Sequence, residues 1–278
     1  MAVAFFIVAH SDDWFLFMGN AGLDAFGDGE NGNTICFVYT TAANFIDGTN
    51  VQVGDGVRDL YARGLRERES AAIQTLADHF GVDATSEVRR LNERDVVFYE
   101  VANTRHYCLR LADGIVDGSG VAWNGNQSLR LLNENGRPMT AQGDVAARYD
   151  NWNDLTATLR AIFDAETNGQ HCWLNYLDPA DASLPFPDGH SDHLFTGRAV
   201  QDATLGAENY DHALFRGYTI RRGRPNVQGD REKAKKRLIK VWDDVQRASG
   251  LYGTIQHPPY TEWALRQYMV NEEMPLEA

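Results

Sequence analysis

The stretch Val3-Ala4-Phe5-Phe6-Ile7-Val8-Ala9-His10-Ser11-Asp12-Asp13-Trp14 decides the fold of this chain. An unbroken apolar run bounded by polar residues predicts a strand buried on both faces, as strands of a parallel sheet are. Ligands of open α/β sheets sit just outside the carboxyl ends of such strands. The strand therefore delivers one imidazole and two adjacent carboxylates, those of His10, Asp12 and Asp13, to the place where chemistry is done. Far down the chain, Gly189-His190-Ser191-Asp192-His193 carries a similar set of groups.

Outward from that strand, apolar and amphipathic stretches alternate. Trp14 to Met18 leads into a Gly-rich segment and predicts a first helix or a covering loop. Thr34 to Thr40 reads as a second buried strand, with a polar end, Thr40 to Asn44, facing the same site. Val57 to Phe80 predicts a long helix that Gly81 stops, with Arg66 and Glu69 placed to pair on one face. Val96 to Tyr99 reads as a third strand. Asn103 to Gly143, rich in Gly and Asn with short runs such as Leu129 to Leu132, reads as an insertion of hairpins and loops within a single domain spanning 1–278. Insertions of this kind shape substrate pockets. A helix is expected over Asp150 to Ala165, capped by Asp150 or Asn151. A strand follows at His171 to Asn175, and a helix begins at His193. The remaining elements are a strand at Leu214 to Ile220, a helix at Arg231 to Arg247, and a short helix between His257 and Met269. This alternation predicts an α/β three-layer fold with a mainly parallel sheet.

Composition narrows the function classes. Apolar residues make up 43% of the 278, ample for a core. A net charge of −13 leaves no basic footprint for nucleic acid and repels an anionic membrane surface. The one basic run, Lys233 to Lys240, has apolar residues at helical spacing and reads as a solvated helix face. Cys36, Cys108 and Cys172 are scattered, which gives neither a disulfide framework nor a cysteine zinc site. The N-terminal apolar run is too short to span a bilayer and lacks a basic leader, so a cytoplasmic protein is expected. The sequence is silent on oligomeric state.

The two clusters together suit a metal ion. A catalytic zinc site commonly takes three ligands from His and Asp/Glu and leaves a fourth position for water. His190 and His193, three apart at a helix start, can face one way. Asp12 and Asp13 cannot point the same way, so one is placed to bind the ion and the other to take a proton from its water. A histidine opposite would stabilise an oxyanion or act as an acid. Such parts suit hydrolysis of an amide or ester.

At these residues the chain resembles the PIG-L/LmbE-like family of zinc-dependent N-deacetylases. Members open with Ala-His-Pro-Asp-Asp-Glu after a strand and later carry His-Pro-Asp-His; here the corresponding stretches are Ala9 to Trp14 and His190 to His193. Between them lies an Arg-x-x-Glu helix before a Gly, which Arg66, Glu69 and Gly81 resemble. The resemblance implies a Rossmann-like fold and zinc held by His10, Asp13 and His193, with Fe2+ as an alternative. It implies Asp12 as general base, and His190 as oxyanion stabiliser or acid. Asp192 would orient a ligand imidazole from behind, and Arg66 would contact an N-acetylglucosamine-type substrate or a conjugate of one. The chain departs from the family at Ser11, which replaces Pro, and at Trp14, which replaces an acidic residue. Asp188 stands where some members carry a Tyr, which makes it a candidate substrate contact of altered specificity.

Three other functions fit the same residues: an amidase on a larger amide-linked conjugate, a non-catalytic metabolite- or carbohydrate-binding protein that retains a metal, and a magnesium phosphotransfer domain. The last leaves the second cluster without a role and lacks a Gly-rich phosphate loop with a Lys.

Overall fold

The structure is a computed structural model that describes residues 2–29, 32–43, 55–182, 188–248 and 258–276; within these the side chains at 28–29, 55–64, 66–67, 123 and 258 are outside the description. The opening run forms β1 (Val3–Val8), and its polar continuation turns into α1 (Asp13–Phe17) and α2 (Gly19–Gly29). Then come β2 (Thr34–Thr41), the long α3 (Asp55–Phe80) and three strands, β3 (Thr85–Leu91), β4 (Arg94–Val101) and β5 (Thr104–Leu111). A loop region carries α4 (Leu129–Asn135) and a two-stranded ribbon, β6 (Met139–Thr140) and β7 (Arg148–Tyr149). The second half runs α5 (Trp152–Thr167), β8 (Cys172–Leu177), α6 (Pro179–Ala182), α7 (Ser191–Ala203), β9 (Tyr210–Phe215), α8 (Gly229–Ala248) and α9 (Pro258–Ala264).

Seven strands form one sheet in the order β3-β4-β5-β2-β1-β8-β9. The five from β5 to β9 are parallel, and β4 and β3 extend the sheet antiparallel at one edge. Side chains alternate across β1, and both faces are dry. Phe6 and Val8 join the core beneath α1, α3, α8 and α9; Phe5 and Ile7 join the core beneath α4, α5 and α7. The result is the three-layer α/β fold that the alternation predicts. Trp14, which stands where the family carries an acid, is fully buried against Phe15, Phe26 and Phe37. No helix among the described residues is long and apolar enough to cross a membrane.

Several expectations need revision. The stretch from Asn103 to Gly143 is not all insertion, because β5 pairs with β2 inside the main sheet. Leu129 to Leu132 is helical: Ser128 caps α4 by accepting from the Leu131 N–H, and Gly136 ends it at φ +61°. The strand expected at Leu214 to Ile220 ends at Phe215. There Asp181 accepts from the Gly217 N–H and the Thr219 hydroxyl and bends the chain into a 3-10 turn over Tyr218–Arg222. The basic face of α8 is solvated apart from Lys235, which is fully buried and donates to the carbonyls of Trp263 and Arg266 at 3.0 and 2.6 Å. Burial pushes its ammonium down to about 7.

Candidate metal centre

The two clusters meet at the carboxyl ends of the parallel strands. His10 follows β1, and Asp12 and Asp13 start α1. Asp12 occupies the helix-capping position but makes no side-chain cap bond. The Asp13 Oδ2 accepts from the His10 backbone N–H at 2.7 Å and thereby fixes the turn. From the second cluster, His190 caps α7, its Nδ1 accepting from the Asp192 N–H at 3.1 Å, and His193 lies one turn in.

The rings of His10, His190 and His193 form a triangle with centroids 4.7 to 5.2 Å apart. His10 Nδ1 is 3.2 Å from His193 Nε2 and 3.4 Å from Asp13 Oδ2, and His193 Nε2 is 3.0 Å from Asp13 Oδ1. Donors at about 2.0–2.1 Å around a tetrahedral ion lie about 3.3–3.4 Å from one another. The three contacts fall at or slightly inside that spacing, so His10, Asp13 and His193 can hold one ion. Burial opposes the charge on Asp13, yet the imidazoles of His193 and His10 outweigh it and hold its carboxyl below the usual range.

On its other side, His10 Nε2 faces Asp192 Oδ2 at 3.5 Å and Asp113 Oδ2 at 3.7 Å. Asp192 is fully buried, its Oδ2 accepting from the Gly114 N–H at 2.9 Å, while its Oδ1 has no hydrogen-bond partner among the described residues. Burial, with help from Asp113, pushes its carboxyl up to about 6. A Cβ at Gly114 would lie 2.6 Å from Asp192 Oδ1, so only glycine allows this approach. His10, Asp113, His190 and Asp192 form a second group close enough to share an ion.

Burial raises the Asp12 carboxyl above its ordinary range, and the neighbouring Asp13 charge adds to it. Its Oδ2 accepts from the Tyr260 hydroxyl at 3.2 Å. Burial, reinforced by His10 and His193, keeps His190 neutral. Its Nδ1 is occupied as an acceptor, which leaves Nε2 to carry the hydrogen.

His10, Asp12, Asp13, His190, Asp192 and His193, expected at one place from the two motifs, lie together in the structure. Asp188 stands in ion pairs with Arg221 and Arg222. Arg66 lies outside the described side chains, as does Asn44 outside the described residues. Glu69 takes Arg110 in a bidentate pair at 2.6 and 2.8 Å, and also the hydroxyl of Tyr99. Four groups near the site went unread: Asp113 just past β5, Arg68 on α3, which donates to the Ala43 carbonyl and acts electrostatically on Asp12, Tyr218, and Tyr260. None of them sits in a motif. The one available signal was the proximity of Asp113 to the end of a strand.

No protein-family profile and no curated protein matches the chain. Among solved structures it is similar to the 4-carboxy-2-hydroxymuconate hydratase GalB of Pseudomonas putida, at 12% identity and a TM-score of 0.48, over 95% of this chain and 83% of that one. It is similar also to the N,N'-diacetylchitobiose deacetylase of Pyrococcus horikoshii, at 17% identity and TM-score 0.44, over 88% and 73%. A third is a deacetylase of teicoplanin biosynthesis solved with teicoplanin, at 16% identity and TM-score 0.46, over 87% and 86%. Each likeness lies below a TM-score of 0.5.

Proposed function

We propose that the chain is a metal-dependent hydrolase that removes an acyl group, in the first instance acetyl, from an N-acylated amino sugar or sugar conjugate. One observation carries the reaction class: three donors at ligand spacing, His10, Asp13 and His193, beside a buried carboxylate, Asp12, that does not cap its helix. The substrate class follows from the resemblance of the two motifs to PIG-L/LmbE-like deacetylases. Two imidazoles and one carboxylate suit zinc, with iron(II) as the alternative.

A bound ion of this kind lowers the pKa of a water and polarises the acyl carbonyl. The remaining work falls to side chains. Asp12 takes the proton of the attacking water. Burial, which raises its pKa, suits it to return that proton to the departing nitrogen. His190 donates from Nε2 to the carbonyl oxygen as negative charge gathers there. It does so as a neutral imidazole, because burial and the two neighbouring imidazoles disfavour a second proton. Asp192 holds His10 from behind. Arg66 and Asp188 are placed at the substrate by the resemblance and carry no step.

The test is acetate release from N-acetylglucosamine and its conjugates, larger amide conjugates included, after loading with Zn2+ or Fe2+. Turnover by the wild type, reduced about 10²- to 10⁴-fold in Asp12→Asn with metal content unchanged, supports the reading. Metal binding without hydrolysis of any acyl substrate, or an Asp12→Asn variant as active as the wild type, overturns it.

A further inference from the structure

Asp12 is held from the far end of the chain. It makes no side-chain cap bond to the helix it begins. The hydrogen bond to its Oδ2 comes from Tyr260 on α9, 248 positions away in sequence.

That tyrosine stands on a firm base. Its ring meets Trp263 edge to face at 5.3 Å between centroids, and Trp263 stacks on Tyr218 at 4.6 Å and packs on Phe17 of α1 at 5.4 Å. Tyr218 in turn meets the His193 ring at 5.0 Å. Beyond α9, buried Lys235 binds the carbonyls of Trp263 and Arg266, and the Arg266 guanidinium donates to the Gly223 carbonyl at 2.6 Å. The helix is thus tied to both α8 and the turn beside the metal ligands. Burial, with the Asp12 charge beside it, pushes the Tyr260 phenol well above its usual range, so the hydroxyl stays a donor.

We propose that Tyr260 is a positioning residue for Asp12: its hydroxyl holds Oδ2, so that Oδ1 is the oxygen turned toward the water, and α9 is by this contact part of the working site. The inference rests on Asp12 acting as base. When Oδ1 takes the proton of the water, Oδ2 becomes the carbonyl oxygen of the acid and still accepts from Tyr260. The contact therefore survives both halves of the proton transfer without rearrangement.

Tyr260→Phe keeps the ring on Trp263 and removes only the hydroxyl. The expected result is a kcat about tenfold lower, with KM and metal content unchanged. A merely structural tyrosine would lower the thermal midpoint and leave kcat alone. A double-mutant cycle with Asp12→Asn, read as urea midpoints, adds a readout that needs no turnover: contact makes the two substitutions non-additive. Unchanged kcat in an active enzyme overturns the proposal, and so do additive midpoints. If the wild type hydrolyses no N-acyl substrate, the base reading of Asp12 falls by itself, and the cycle still decides whether Tyr260 holds that carboxylate.

Discussion

The two nitrogens of His10 look into different neighbourhoods. Nδ1 faces Asp13 and His193, whose donor atoms crowd to between 3.0 and 3.4 Å of one another. Nε2 faces Asp192 and Asp113 at 3.5 and 3.7 Å, with His190 close by. The first set has the spacing of ligands on one ion. The second is looser, fully buried at Asp192, and joined to the backbone through Gly114. A metal-binding imidazole commonly gives its other N–H to a carboxylate, which fixes the ring and raises its basicity. In the proposed function the same residue types thus divide into a face that would bind the ion and a face that would orient the ring.

The largest expected effect that sharpens this division comes from Asp192→Asn. It keeps the volume and removes the charge behind His10, and metal affinity by chelator competition should fall about 10- to 100-fold. Asp113→Asn, at the longer distance, should lose less. Equal losses in the two variants would place both carboxylates in the same role. Gly114→Ala acts on the same face through the backbone, since its new methyl would displace Asp192. Affinity should fall less than in Asp192→Asn, and overpacking should cost about 1–3 kcal/mol in denaturant unfolding.

A separate effect, on stability rather than on metal affinity, concerns Lys235, beneath the helix that reaches the site. Its folded pKa, about 7, lies below the 10.5 of an ordinary lysine. Between those values the unfolded chain holds the proton that the folded chain has released, so this residue makes stability rise with pH across that window. Below about pH 7 both states are charged, and the cost of burying the ammonium is fully present. Urea midpoints of the wild type relative to Lys235→Met should therefore climb as pH rises from about 7 towards 10.5. A flat difference would show that the buried charge is solvated in some other way.

What the sequence disclosed follows from the same comparison. His10, Asp12 and Asp13 lie within four consecutive positions at a strand end, and His190 to His193 at a helix start, so local geometry assembles each cluster. The two faces of β1 and β2 were legible because a doubly buried strand is a continuous apolar run. The orienting and holding groups arrive singly from loops and from α9, and only tertiary packing brings Asp113, Tyr218 and Tyr260 to the centre. Strand β3 was hidden for another reason: as an edge strand it is exposed along most of its length and shows little apolar signal. Glu69 was legible as a charge on a helix, but its partner, Arg110, comes from β5 rather than from its own helix.

The measurement that tests the division most directly is metal content, by elemental analysis, of the wild type beside His193→Ala and His190→Ala. The account predicts about one zinc or iron per chain in the wild type and in His190→Ala, and none in His193→Ala. Metal retained in His193→Ala but lost from His190→Ala would put the ion on the Nε2 side of His10 and contradict it.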